Sequence, residues 1–142
     1  MNQNGNAVLQ IEELVISYGN IRAVKGISFD VQEGEIVTLI GANGAGKSST
    51  LRAISGIVPF KGVIRFQGKD LHNTDAAQIV GMGIAQVPEG RGIFGSLTVN
   101  ENLKLATWQR KDKVEIVKDY ERVYGIFPRL KERLNQQGGT LS

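Results

Sequence analysis

Eight consecutive residues, 41–48, have the types and the spacing that bind a polyphosphate. They spell Gly-Ala-Asn-Gly-Ala-Gly-Lys-Ser and match the pattern G-x-x-x-x-G-K-[ST] at every fixed position. Glycines let backbone N–H groups approach phosphate oxygens closely, because no side chain stands in the way. Lys47 can reach the β- and γ-phosphates, and the Ser48 hydroxyl can ligate a Mg²⁺ ion that bridges them. The pattern therefore predicts binding of a Mg-nucleoside triphosphate.

The residues around this loop predict the strand and the helix that such a loop connects. The run 35–40, Glu-Ile-Val-Thr-Leu-Ile, is apolar on both faces, which is typical of a buried parallel strand. After the loop, Leu51 and Ile54 lie at helical spacing, and Gly56 suits the end of that helix. An accidental match to the pattern is expected in on the order of one in several hundred chains of this length. The predicted strand before the loop and the predicted helix after it make a chance match to the pattern less frequent still.

Four other segments predict strands. Residues 8–18 are rich in strand-forming residues and are interrupted at Glu12-Glu13. Residues 27–31 alternate apolar and polar side chains, as a half-exposed antiparallel strand does. Residues 63–67 are expected to join that antiparallel set, and residues 84–87, between a glycine and a proline, predict a further strand.

From Thr98 onward the pattern becomes helical. Thr98 and Glu101 have the spacing of a reciprocal capping box, which predicts a helix start. Apolar and aromatic residues then recur every three or four positions from Val114 up to Gly125, which predicts a second helix with a solvated charged face. Pro128 suits the start of a third, short helix.

Composition and charge place further bounds on the chain. With 142 residues, 41% of them hydrophobic and 22% charged, it is long enough for one domain with a core. No apolar run approaches the roughly 18 residues of a membrane span, and the amino end lacks the pattern of a signal peptide, so a cytoplasmic location is expected. A net charge of +3 with mixed signs gives no argument for nucleic acid. Without cysteine and with the single His72 in a polar turn, thiol chemistry and a cysteine–histidine metal site are excluded.

The order and spacing of several blocks, from about residue 8 to the end, resemble the ATP-binding subunit of an ABC transporter. The phosphate-loop pattern alone would not separate this family from other proteins with such a loop. The resembling blocks are Ser17-Tyr18-Gly19, Ala23-Val24-Lys25-Gly26, Ile27-Ser28-Phe29, Gly34-Glu35-Ile36, Gly41 to Ser48, Val87-Pro88-Glu89-Gly90-Arg91, Leu97-Thr98-Val99-Asn100-Glu101-Asn102-Leu103 and Thr140-Leu141-Ser142.

The resemblance implies an α/β fold with three parts. They are a phosphate-loop NTPase core with a parallel sheet, an antiparallel β subdomain, and the start of an α-helical subdomain, with the β-rich part and the core in residues 1–97 and the helical part in residues 98–142. The domain is expected to be incomplete, because Leu141-Ser142 resembles only the first two residues of the family signature Leu-Ser-Gly-Gly-Gln. The catalytic acidic strand of the family would follow that signature.

The resemblance also assigns roles in nucleotide binding. Tyr18 stands where the family places an aromatic ring that stacks on adenine, and Ser49 would contact phosphate beside Lys47 and Ser48. The implied ligand is ATP with Mg²⁺. The implied binding residues are Tyr18, Gly41, Asn43, Gly44, Ala45, Gly46, Lys47, Ser48 and Ser49.

Glu89 occupies the position where the family commonly has a glutamine that touches the metal or the attacking water and senses the membrane subunit. A glutamate can also ligate Mg²⁺, but its charge repels phosphate oxygens unless metal or a basic group intervenes. The implied catalytic residues are Lys47 and Glu89, with Gln86 expected to be only a strand residue. The block 87–91 followed by Ile93-Phe94 resembles the ATPases of branched-chain amino acid importers.

The resemblance implies partners and leaves alternatives open. The partners would be integral-membrane permease subunits and a second ATP-binding subunit, with the protein held at the inner face of the cell membrane through the permease. The alternatives are the ATPase of a related urea or amide importer, a non-transport ABC ATPase, a non-catalytic nucleotide-binding fragment and a phosphate-loop kinase. We expect the 142-residue chain alone to bind Mg-ATP weakly or not at all and to show no turnover.

Overall fold

The computed structural model describes residues 7–90 and 92–141. Arg91 and Ser142, which belong to two of the blocks that resemble the ABC family, lie outside the described residues, as do residues 1–6 at the amino end, which are expected to lack a signal peptide. The chain divides into two compact units, Met1–Gln86 and Val87–Ser142. The subdomain boundary between residues 97 and 98 stays a prediction. In the part of the chain that is described, no helix is both long and apolar enough to cross a bilayer.

The first unit contains a four-stranded antiparallel sheet. Its strands are β1 (Ala7–Tyr18), β2 (Ile21–Gln32), β3 (Lys61–Phe66) and β4 (Lys69–Asp70), in the order β2-β1-β3-β4. The predicted strands 8–18 and 27–31 lie in this sheet, as does the predicted strand 63–67 except for Gln67, which belongs to the turn after β3. The alternation over 27–31 corresponds to alternating half-buried and exposed side chains. The predicted antiparallel subdomain is therefore confirmed.

The interruption predicted at Glu12-Glu13 is a bulge within β1. The register shifts between Ile11 and Leu14 against β2, and Glu13 has a positive φ of 48°. A Cβ at Gly62 on β3 would lie 2.3 Å from the Glu13 carbonyl oxygen, so only glycine fits beside the bulge. Beyond the bulge, β1 continues to Tyr18, a predicted site residue.

The core of this unit lies between the sheet and two helices, α1 (Lys47–Ile54) and α2 (Ala76–Gly81). The helix α2 begins with a capping box formed by Asp75 and Gln78. The helix α1 buries Ala53 and Ile54 and thereby fixes the predicted phosphate loop at its start to the core. The buried core residues are Ile11, Leu14, Ile16, Val24, Ala53, Ile54, Ile64, Leu71 and Ile79.

Two strand predictions are wrong. Residues 35–40 and 84–87 have no regular secondary structure, and Ile36 and Ile40 are 94% and 93% exposed instead of buried. A parallel strand satisfies its N–H and C=O groups only through neighbouring strands, and within residues 7–90 and 92–141 no strand pairs with either run. Gln86, predicted to lie on the second of these strands, is likewise outside regular structure, and its side-chain oxygen is buried with no hydrogen-bond partner among the described residues.

The second unit is helical, as predicted. Its helices are α3 (Val99–Ala106), α4 (Lys113–Ile126) and α5 (Pro128–Glu132), followed by a short 3₁₀ turn at Gly138–Thr140. The capping box predicted at the start of α3 is present, because the Thr98 hydroxyl accepts from the Glu101 N–H at 3.2 Å and Glu101 accepts from the Thr98 N–H at 2.8 Å. Hydrogen bonds from the Thr98 backbone and hydroxyl hold the pKa of Glu101 below its ordinary value.

The segment before α3 is bonded to the segment after α5. The Val99 N–H donates to the Gln136 carbonyl at 2.9 Å, and the Gly138 N–H donates to the Leu97 carbonyl at 2.8 Å. Asn102 strengthens this junction from inside α3, because its side-chain amide bonds to the backbone of residues 94–98. These bonds hold residues 94–99 to the segment 136–138, which precedes Leu141.

Candidate nucleotide-binding site

The glycine at the end of the predicted phosphate loop is required by close packing. Gly46 is the N-cap of α1 and has a φ of 89°. A Cβ there would lie 2.6 Å from the Ala23 carbonyl oxygen and 2.7 Å from a methyl carbon of Val24, both on β2. Since real Cβ contacts are longer than this, only glycine lets the helix begin so close to the sheet.

The loop itself makes a tight turn with one open side. The Ala45 N–H donates to the Ala42 carbonyl at 3.1 Å, and Gly44 has a φ of 83°. A Cβ at Gly44 would have no heavy atom within 4 Å, whereas one at Gly41 would lie 2.9 Å from the Ala45 Cβ. The backbone is thus accessible at Gly44, which is what a phosphate needs in order to approach the N–H groups.

The start of α1 supplies a positive dipole end beside this loop. The Thr50 N–H and hydroxyl both donate to the Gly46 carbonyl, at 2.9 and 3.0 Å, and Thr50 is buried. The first turn contains no acidic residue, while the last turn contains Arg52. N–H groups in the first turn of a helix have no carbonyl partner within that helix, so this end favours an anion.

Lys47 carries its charge at the edge of the loop. Its Nζ donates to the Gly41 carbonyl at 2.7 Å and to the Ala42 carbonyl at 2.9 Å. The Lys47 side chain therefore folds back over the start of the phosphate loop. A phosphate bound there would compete with the two carbonyl oxygens for the ammonium group. This arrangement can neutralise a polyphosphate charge.

The side chains of Tyr18 and Ser49 are joined by a hydrogen bond. The Tyr18 hydroxyl donates to the Ser49 hydroxyl oxygen at 3.3 Å, and Tyr18 is 43% exposed. The structure thus brings together the predicted base-stacking residue and a predicted phosphate contact that lies 31 positions further along the chain.

A cavity of about 410 Å³ lies between the loop and β2, which is the size of a small-ligand site. Arg22 and Lys25 are basic residues of its lining that no sequence pattern marks as site residues. The basic charge in β2 was visible in the sequence, but nothing there indicated that β2 lies against the loop. The lining consists of Arg22, Ala23, Val24, Lys25, Ile27, Gly44 and Ala45.

The remaining predicted site residues divide between the two units. Asn43 lies in the exposed turn of the loop, and Ser48 is exposed in the first turn of α1. Glu89 lies in the second unit, in an exposed segment outside regular structure. The first unit therefore holds the predicted residues from Tyr18 to Ser49, and the role of Glu89 stays a prediction.

The loop, the helix start and Lys47 have the features of one class of site, the phosphate-binding loop of the NTPase type. A family model described as ABC transporter matches residues 24–142. The chain belongs to the ABC transporter family.

Known relatives agree with this membership. The chain is 43% identical over 95% of its length to the high-affinity branched-chain amino acid transport ATP-binding protein BraG of Pseudomonas aeruginosa. It is 29% identical, also over 95% of its length, to a probable branched-chain amino acid transport ATP-binding protein, LivF, of Archaeoglobus fulgidus. The chain spans 58% and 57% of the length of these two relatives.

A solved ATP-binding subunit of an ABC transporter has a similar fold. It superposes with a TM-score of 0.83 at 30% sequence identity, over 95% of this chain and 56% of that structure. The predicted α/β fold class is confirmed by this similarity, together with the antiparallel sheet and the helical unit.

Proposed function

We propose that this chain binds Mg-ATP as part of an ATP-binding subunit that powers the import of branched-chain amino acids. The observation that carries the proposal is the loop 41–48, in which a sterically required glycine, an accessible turn and the Lys47 ammonium converge at the start of α1. The solute class is supported by the names of the relatives BraG and LivF.

Within this proposal each part of the site has a separate task. The backbone at Gly44 and the first turn of α1 hold the phosphates, and Lys47 balances their charge. The Tyr18 ring, which is half exposed at the end of β1, stacks on the adenine.

The residues present also fit a Mg²⁺ ion. Ser48 offers a hydroxyl oxygen in the first turn of α1, and phosphate and water oxygens are the other ligands that this hard cation prefers. When bound, the ion neutralises charge on the phosphates. Glu89 is proposed as a further oxygen ligand or as a contact to the membrane partner.

The partners are proposals of the same kind. We propose that the chain works at the cytoplasmic face of a membrane, against integral-membrane permease subunits and beside a second ATP-binding subunit. Hydrolysis would then be a property of the assembly. The isolated chain is expected to bind Mg-ATP weakly or not at all, because no strand among the described residues pairs with residues 35–40, and fixing this segment for binding costs conformational entropy.

The decisive test is made in the organism that encodes the chain. Replacing the chromosomal Lys47 codon by alanine should abolish energy-dependent uptake of radiolabelled leucine, isoleucine and valine. The matched control is Lys69→Ala, since Lys69 is an exposed lysine of β4 outside the loop and should leave uptake unchanged. Normal leucine uptake in the Lys47→Ala strain would refute the proposed solute class, and selective loss of urea uptake instead would favour the urea importer alternative.

A second test uses the purified 142-residue chain. Steady-state phosphate release should stay at the level of the Lys47→Ala variant, because the chain alone is expected to show no turnover. Family-like release that Lys47→Ala abolishes would show that the described residues suffice for hydrolysis, and would contradict this part of the proposal.

A further inference from the structure

We infer that Ser49 is a positioning residue for the base-stacking ring of Tyr18, through the hydrogen bond between their two hydroxyl groups. The inference rests on the proposed binding of ATP at this loop and goes further by naming a link between the base end and the phosphate end of the site. The Tyr18 Oη and the Ser49 Oγ are 3.3 Å apart.

The two residues belong to elements that the core holds in place. Tyr18 is the last residue of β1, and Ser49 is the third residue of α1. The neighbour of Ser49, Thr50, is buried and bonded twice to the Gly46 carbonyl, so the helix backbone at this point is fixed. Tyr18 is 43% exposed, and packing alone therefore restricts its ring only in part. The hydroxyl bond adds the restraint that the packing lacks.

The direction of the bond leaves Ser49 able to serve a second partner. A hydroxyl group has one hydrogen to donate and two lone pairs that accept. Because the Tyr18 hydroxyl donates to Ser49, the hydrogen of Ser49 stays available for a phosphate oxygen. Ser49 can thus bind a phosphate and orient Tyr18 at the same time.

This link predicts an effect on ligands that contain a base and none on a bare polyphosphate. A ring that is already oriented loses less freedom when adenine stacks on it, which raises the affinity for ATP. Mg-tripolyphosphate carries the phosphates without the base and gains nothing from the ring. The ratio of the two dissociation constants, tripolyphosphate over ATP, therefore isolates the contribution of Tyr18.

The experiment measures both dissociation constants by calorimetry on the full 142-residue chain. The variants are Tyr18→Phe, Ser49→Ala, the double variant and Ser49→Thr, with Ser55→Ala as the matched control because Ser55 lies at the other end of α1 and bonds to the Leu51 carbonyl. Tyr18→Phe and Ser49→Ala should each lower the ratio about twofold, as expected for one solvent-exposed hydrogen bond. The double variant should fall no further, Ser49→Thr should restore the ratio, and Ser55→Ala should leave it unchanged.

A second measurement needs no nucleotide and decides the question if ATP binds too weakly to titrate. With ¹³C-labelled tyrosine, the Cζ resonance that disappears in Tyr18→Phe belongs to Tyr18, one of three tyrosines in the chain. That resonance should shift in Ser49→Ala, return in Ser49→Thr and stay in place in Ser55→Ala. The inference would be overturned if the Tyr18 Cζ resonance does not shift in Ser49→Ala. It would also be overturned if the effects of the two single variants on the ratio multiply in the double variant. Lys47→Ala separates this outcome from failure of the proposed function, since it should weaken both ligands alike.

Discussion

Replacement of Asn102 by alanine should open the junction between residues 94–98 and the segment that precedes Leu141. The Asn102 side-chain oxygen accepts from the Phe94 N–H at 2.9 Å. Its nitrogen donates to the carbonyls of Phe94 at 3.0 Å, Leu97 at 3.3 Å and Thr98 at 3.0 Å. One side chain therefore fixes the loop that enters α3 through four contacts.

The magnitude follows from the exposure of these contacts. An amide nitrogen has two hydrogens, so its three acceptors share them, and the bonds to Leu97 and Thr98 are partly buried whereas those to Phe94 are exposed. Each partly buried bond contributes about 1 kcal/mol, and the exposed pair contributes less because water replaces it. Alanine recovers about 0.6 kcal/mol through its higher helix propensity. The net loss of local stability should be about 2 kcal/mol.

Native-state hydrogen exchange measures this loss where it arises. The Phe94 N–H bonds directly to Asn102, and the Gly138 N–H bonds to the Leu97 carbonyl at 2.8 Å, so both amides report on the junction. A loss of about 2 kcal/mol makes both amides exchange roughly thirtyfold faster. The matched control is Asn100→Ala in the same helix, whose side chain makes none of the four contacts.

The result that would refute this reasoning is measured at the same two amides, those of Phe94 and Gly138. If Asn102→Ala changes exchange at Phe94 and Gly138 no more than Asn100→Ala does, the four contacts do not hold the junction. Faster exchange at Phe94 alone would show that Asn102 fixes only the loop that enters α3 and not the segment after α5.

Three further changes test the sterics and the electrostatics of the fold. Gly62→Ala places a Cβ against the Glu13 carbonyl and should lower the free energy of unfolding by about 2 to 4 kcal/mol in urea titrations, whereas Gly68→Ala, on a glycine with open space around its Cβ, should cost less. Gly46→Ala meets a backbone carbonyl of β2 and should abolish Mg-ATP binding by the complete protein with its fold retained by circular dichroism. The lowered pKa of Glu101 means that its contribution is present above the ordinary pKa of a glutamate and is lost as the pH falls through the lower folded value. The stability of the second unit should therefore fall below about pH 4.5, and less steeply in Glu101→Gln.

Features set by neighbouring residues could be predicted from the sequence. The capping box of Thr98 and Glu101 depends only on residues three positions apart, and the structure reproduces it with both bonds. The glycine spacing of residues 41–48 likewise encodes a local turn followed by a helix, and α1 begins at Lys47. In both cases the physical requirement lies within one or two turns of chain, where a pattern of residue types can specify it.

Features that depend on distant partners could not be predicted in the same way. The apolar run 35–40 has the composition of a buried strand, but strand formation depends on neighbours that the run does not itself encode. The contact of Tyr18 with Ser49 and the approach of Arg22 and Lys25 to the loop arise because β1, β2 and α1 pack on one another. No spacing pattern marks such contacts before the elements are placed.

The two sides of the phosphate loop differ in how far they depend on distant partners. On the helix side, Gly46 is packed against β2 and Thr50 is buried, so the anion-binding end is formed by contacts within the first unit. On the strand side, Ile36 and Ile40 are almost fully exposed, and in the described part of the chain no strand pairs with the residues that enter the loop. The proposed phosphate-binding end on the helix side is therefore held by the core, while fixing the strand side in one conformation for binding costs conformational entropy. Affinity for ATP should accordingly respond to whatever pairs with residues 35–40, even though none of those residues needs to touch the nucleotide.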